Sequence, residues 1–116
     1  MKKTLLILLL SLSMQSFVTE TINVTTGNVT ISDGNDGHTM INTGAACTFT
    51  LGATTTNFVV TVINQGTGDI TFGTAITVRP GVTITTLPAA IAEIRPTGIG
   101  NKIKLHRDSG GVWRAI

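Results

Sequence analysis

Two histidines, one cysteine and six carboxylates are the side chains from which this 116-residue chain would have to build a metal site, a nucleophile or an acid–base pair. Zinc sites draw Cys and His from short, clustered spacings, and His38, Cys47 and His106 are scattered. Asp33-Gly34-Asn35-Asp36-Gly37 offers oxygen ligands in the manner of a calcium loop, but no distal glutamate follows in the required place. Gly, Asn and Asp tolerate positive φ, so that pentapeptide is expected to be a tight turn. General acid–base chemistry needs two titratable groups held close, and the carboxylates are sparse. Triad chemistry needs a nucleophile beside a base, and both histidines stand in strand-like contexts. Gly66-Thr67-Gly68 lacks the Lys-Ser/Thr and the helix of a phosphate loop. The chain is expected to be non-enzymatic, with no metal and no cofactor.

What remains is contact chemistry. Lys102-Ile103-Lys104-Leu105-His106-Arg107 alternates basic with apolar residues, and on a strand this places Lys102, Lys104 and His106 on one face and Ile103 and Leu105 on the other. Such a stripe suits an anionic partner: a phosphorylated surface glycan, lipid head groups or nucleic acid. It also serves simply as a solvated outer face that keeps a sheet soluble. One tryptophan and no tyrosine argue against nucleic acid, which is usually held by several stacking rings. Trp113 is either an inward anchor or an exposed carbohydrate platform. Val112 and Arg114 on the opposite face favour the inward placement, beside Ala115. The candidate partner- or glycan-contacting residues are therefore Lys102, Lys104, His106, Trp113 and Arg114. Cys47, alone in Ala45-Ala46-Cys47-Thr48-Phe49, is expected to be an inert core thiol. Asn23-Val24-Thr25 and Asn28-Val29-Thr30 are glycosylation acceptors only in a eukaryotic secretory host.

The elements that position these residues are strands. Charged residues are only 12% of the chain and threonine, suited to a half-wet pleated surface, is abundant. Apolar alternation predicts strands at 21–24, 28–31, 38–42, 47–51, 57–64, 69–72, 76–78, 82–84, 91–94, 102–106 and 112–116. Thr25-Thr26-Gly27 is expected to be a short hairpin loop, Pro80-Gly81 the centre of a type II turn, and Asp108-Ser109-Gly110-Gly111 the last hairpin turn. In Asn57–Asn64, Phe58, Val60 and Val62 share one face and Val59, Thr61 and Ile63 the other, which predicts a central strand. No strict internal repeat is apparent. The expected fold is all-β: an antiparallel β-sandwich or small barrel-like module, preceded by a short hydrophobic N-terminal segment.

That segment opens Met1-Lys2-Lys3-Thr4, runs apolar from Leu5 to Leu10 and continues Ser11-Leu12-Ser13-Met14-Gln15-Ser16. It has the parts of a secretory signal and is too short for a stable membrane span. Residues 1–16 are expected to be a signal peptide or a hydrophobic docking segment, and 17–116 a single module. Without Lys2 and Lys3 the formal charge of +2 falls to zero. Glu20, Asp33, Asp36 and Asp69 precede Arg79, whereas Arg79, Arg95, Lys102, Lys104, Arg107 and Arg114 outweigh Glu93 and Asp108 after it. The two halves pair either within the fold or between subunits whose unlike faces meet.

Four stretches carry a resemblance: Asp36–Ala45 (Asp-Gly-His-Thr-Met-Ile-Asn-Thr-Gly-Ala), Thr48-Phe49-Thr50-Leu51-Gly52, Phe58–Phe72 with its Asn64-Gln65-Gly66-Thr67-Gly68 turn, and Gly111-Val112-Trp113-Arg114. In order and spacing they resemble the small β-structured C-terminal modules of phage virion appendages, the tips of tail fibres and head fibres. The resemblance implies a non-catalytic, homotrimeric module that contacts other virion proteins or a host-surface glycan. A secretory leader departs from that family's pattern and implies instead an exported relative, such as a secreted bacterial adhesin or glycan-binding module. The location is then virion or extracellular, according to whether the leader is cleaved.

Overall fold

The computed structural model describes residues 21–52, 54, 57–89 and 101–116. Nine strands and one 3-10 turn follow in order: β1 (Ile22–Thr25), β2 (Val29–Ile31), the turn Asp33–Asn35, β3 (Thr39–Asn42), β4 (Cys47–Leu51), β5 (Phe58–Asn64), β6 (Ile70–Arg79), β7 (Val82–Leu87), β8 (Lys102–Arg107) and β9 (Trp113–Ala115). The protein is all-β, and its strands form one nearly closed, barrel-like sheet. The strand expected at 91–94 and the segment 1–16 lie outside the described residues.

Pairing direction differs from the antiparallel expectation. Five pairings are parallel and three antiparallel. β1, β3 and β5 stack in parallel as one wall, and β2, β4 and β6 as another. The chain therefore winds through three coils, each giving one strand to each wall. Thr25-Thr26-Gly27 is consequently a corner between walls and not a hairpin loop, since β1 pairs with β3 and β2 with β4. The antiparallel expectation holds at the C-terminal end, where β7 folds back on β6, β8 pairs with β5, and β8 and β9 form a hairpin. β9 also touches β6 at Thr77↔Arg114, so β8 and β9 bridge the two walls. β6 joins the two short strands expected at 69–72 and 76–78 into one, with a register irregularity between Thr71 and Ile76. Gly81 supplies the positive φ, at 75°, that the Pro80-Gly81 turn requires.

Alternation drives each strand to present one row inward. In β4, Cys47, Phe49 and Leu51 are buried and Thr48 and Thr50 exposed. In β5, Phe58, Val60, Val62 and Asn64 are buried, with Val59, Thr61 and Ile63 half-exposed. The resulting core holds Ile31, Met40, Phe49, Phe58, Val60, Val62, Ile70, Phe72, Ile76, Leu87, Leu105 and Trp113 between the walls.

Successive coils are locked together at the corner. Thr25, Asn42 and Asn64 occupy equivalent register positions, and Gly27, Gly44 and Gly66 follow each by two residues. Asn42 Nδ2 donates to Asn64 Oδ1 at 3.2 Å. Asn64 Oδ1 also accepts from the Gly66 N–H at 3.1 Å, while Asn64 Nδ2 donates to the Gly68 and Leu87 carbonyls at 2.9 and 3.0 Å. A Cβ on Gly44 would collide with the Thr26 carbonyl, and one on Gly66 with the Gly44 carbonyl. The chain thus contains a degenerate repeat, Thr/Asn-x-Gly, where no strict internal repeat is expected from the sequence.

Replacing Asn64 with leucine keeps the volume but orphans several buried polar partners. Each buried orphan costs about 1–3 kcal/mol, so Asn64→Leu is expected to lower unfolding free energy by about 3 kcal/mol or more. Urea denaturation checks this as a reduced midpoint at unchanged slope, whereas the exposed Thr48→Ala should stay within about 0.5 kcal/mol.

Candidate functional site

β8 carries the basic stripe as its alternation requires. Ile103 and Leu105 are buried, Lys102 and Lys104 are exposed and His106 is half-exposed. Antiparallel register sets Lys102 beside Ile63, Lys104 beside Thr61 and His106 beside Val59 on one side, and His106 beside Arg114 on the other. Alternate residues on a strand are about 7 Å apart and neighbouring strands about 4.8 Å, so the four basic groups share one outward surface. Arg107, the next basic residue, leaves it: its Nη1 donates to the Thr54 carbonyl.

Trp113 belongs elsewhere. It is 3% exposed and meets Phe58 edge-to-face, with centroids 5.6 Å apart and planes at 78°. The offset satisfies the ring quadrupoles and seals the end of the core. The contact role proposed for Trp113 is therefore corrected. A ring buried on both faces cannot stack on a sugar, and the inward placement favoured by its neighbours is the one observed. Arg114 remains exposed, yet its charge is engaged: Nε donates to Asp108 Oδ2 at 2.6 Å.

Asp108, expected in the last hairpin turn and as one of the two carboxylates after Arg79, organises the hairpin. Its Oδ1 accepts the N–H groups of Gly110 and Val112, each at 2.9 Å. Its backbone N–H donates to the Val112 carbonyl at 2.9 Å, and its carbonyl accepts from Gly111 at 3.0 Å. Gly111 has φ +81°, which the turn requires. The Arg114 hydrogen bond, then the Val112 one, holds the Asp108 carboxyl below the usual carboxylate range. The Asp-x-Gly-Gly pattern was the available sequence signal for this device.

The remaining chemical candidates have structural roles. Asn23 Nδ2 and His38 Nδ1 are hydrogen-bonded at 2.9 Å, which ties β1 to the start of β3. Asp36 Oδ1 accepts the Val59 N–H at 3.0 Å, and the Ser32 N–H donates to Asn35 Oδ1 at 3.0 Å, so the 33–37 loop is a turn tied to β5. Cys47 is a buried free thiol whose pKa burial raises. Among the described residues no three His, Cys, Asp or Glu side chains converge, and no helix is long and apolar enough to cross a membrane. Comparisons with family models, curated proteins and solved structures found no match.

Two outcomes are expected from this geometry. Trp113→Ala should destabilise by about 3–5 kcal/mol, the usual cost of emptying a large aromatic site, measured by chemical denaturation. A carboxyl whose folded pKa lies below its unfolded value stabilises the fold above the unfolded value, and the gain fades as pH falls through the folded one. Wild type should therefore lose more melting temperature than Asp108→Asn on acidification from neutrality to below about pH 3.9; parallel curves would remove Asp108 from that role.

Proposed function

We propose that this chain is a non-catalytic structural module of the phage-appendage kind, a fibre tip or capsid decoration that terminates a longer assembly. The observation that carries the reading is the difference between its two ends. At the C-terminal end the β8–β9 hairpin ties the walls together and Trp113 lies over Phe58. At the other end β1 and β2 each pair with only one strand among the described residues. Natural sheets guard such edges with charge, proline or bulges, and Ile22-Asn23-Val24-Thr25 and Val29-Thr30-Ile31 have none of these.

Gly27 adds a second detail to the same end. Gly44 and Gly66 are needed because the preceding coil presses on them, yet among the described residues a Cβ on Gly27 meets nothing within 4 Å. A glycine where no described residue presses fits a corner that receives a further backbone in the assembled state. A module closed at one end and receptive at the other is what the tip of an extended fibre requires. The adhesin reading loses Trp113, one of the two features on which it stood.

The resemblance that suggests this role also implies a trimer, so light scattering of the purified chain should give about three times the 12.1 kDa monomer mass. Gly27→Val should leave the melting transition within about 0.5 kcal/mol of wild type while abolishing end-on assembly. A clean monomer at high concentration would count against the trimer. A native N-terminus near Met14 or Phe17 by mass spectrometry would count against cytoplasmic virion assembly.

A further inference from the structure

We infer that the outer face of the wall formed by β1, β3, β5, β8 and β9 binds a lipid surface carrying anionic head groups. This does not rest on the appendage reading. Of the exposed large hydrophobics among the described residues, Ile22 at 56%, Val24 at 65% and Ile116 at 65% lie on this face, and Val112 at 41% sits beside it in the β8–β9 turn, two residues before the outward Arg114. Register shows why. Ile22, Thr39, Thr61 and Lys104 form one cross-strand row, and the Ile116 N–H donates to the Lys104 carbonyl at 2.9 Å, which extends the row. Val24, Ile41, Ile63 and Lys102 form the next, and Val59, His106 and Arg114 a third. Thr39 is buried at the centre, Ile41, Thr61 and Ile63 are half-exposed, and the aliphatic margins are open. Five strands at about 4.8 Å spacing make the face about 19 Å wide.

The other wall presents a different surface. Thr48–Thr71–Thr86 and Thr30–Thr50 are exposed threonine rows on it, with Arg79 exposed at the end of β6. That wall is threonine-rich with one terminal cation, whereas the first combines open aliphatic margins with Lys102 and Lys104. The charges decide among occupants. A second copy applied to the same face would bring both pairs of Lys102 and Lys104 into one interface with no carboxylate on these rows to answer them. Nucleic acid would want stacking rings, and among the described residues Trp113, Phe49, Phe58 and Phe72 are all buried. A soluble acidic polymer would engage the lysines and leave the aliphatic margins unused. An anionic lipid surface satisfies both chemistries, the cations at head-group level and the short aliphatic side chains at its boundary.

The test is co-sedimentation of the full chain with phosphatidylglycerol/phosphatidylcholine vesicles, with pure phosphatidylcholine vesicles, and with polyphosphate as a soluble polyanion in competition. Wild type should bind the anionic vesicles selectively, and more weakly as salt rises. Lys102→Gln/Lys104→Gln should weaken binding by roughly tenfold or more, Val112→Ser/Ile116→Ser should weaken it by several-fold, and Thr48→Ser/Thr86→Ser on the other wall should leave it unchanged. Full retention of vesicle binding by both face variants would place it elsewhere in the chain and overturn the proposal. No vesicle binding, or vesicle binding insensitive to Val112→Ser/Ile116→Ser, would overturn it as well. Matching melting curves for all variants keep a folding defect from being read as a binding one.

Discussion

Asn64 sits where no water reaches and holds polar partners from three parts of the chain: the Asn42 side chain from the coil before it, Gly66 and Gly68 from its own corner, and the Leu87 carbonyl from the end of β7. A buried amide is costly unless its capacity is used. Here the satisfied state exists only when adjacent coils are in register and β7 has folded back on β6. Aliphatic burial alone would tolerate a slip of two residues, because that keeps the same face inward. The asparagine column does not, since a shifted carbonyl no longer meets the amide. Specificity of winding therefore comes from a few polar contacts, and most of the driving force from the apolar interior.

The glycine column follows from the same constraint. For Asn42 to reach Asn64 the backbones at the corner must close to a distance that excludes a Cβ on Gly66, and the first two coils close in the same way over Gly44, against Thr26. Hydrogen bonds across the corner, Thr43 N–H to the Thr25 carbonyl, Gln65 N–H to the Asn42 carbonyl and Thr67 N–H to the Gly44 carbonyl, continue the parallel ladder through the bend. Walls and corner are thus one hydrogen-bonded system. The β8–β9 cap is a separate one, organised by Asp108 and seated by Trp113 on Phe58.

Sequence alternation revealed which residues face inward, because that depends only on the pleat. Phe49, Phe58, Val60, Val62, Ile103, Leu105 and Trp113 were all readable in this way. Strand direction was not, since Cys47–Leu51 alternates identically whether its neighbour runs parallel or antiparallel. The repeat was hidden by unequal coils: Thr25 to Asn42 spans 17 residues, and Asn42 to Asn64 spans 22, the extra residues falling partly in the corner, where Thr25 and Val29 answer to Asn42 and Phe49, and partly in the return between walls. For the site, the outward stripe of Lys102, Lys104 and His106 followed from alternation. The pairing of Arg114 with Asp108 did not, because it depends on the turn geometry that Gly111 permits. The aliphatic margins were invisible for another reason: Ile22 and Ile116 come together on one face only through three intervening strands.

The two outer faces show what the winding leaves free. Inner positions are constrained by packing, and corner positions by close approach, so sequence freedom concentrates on the outward rows. On the β2–β4–β6 side these rows are mostly threonine, which satisfies β propensity without a large apolar group, and the exposed Arg79 stands only at the end of β6. Had solubility been the only demand, the same solution would serve the other wall, where neighbouring rows pass from Val24 to Ile41 to Ile63 and then to Lys102. Aliphatic residues beside lysines give up some of the solubility that threonine would provide. The two walls share coils, corners and core, yet their described outward rows differ in chemistry. Among the described residues the open aliphatic margins and the two lysines fall together on one face.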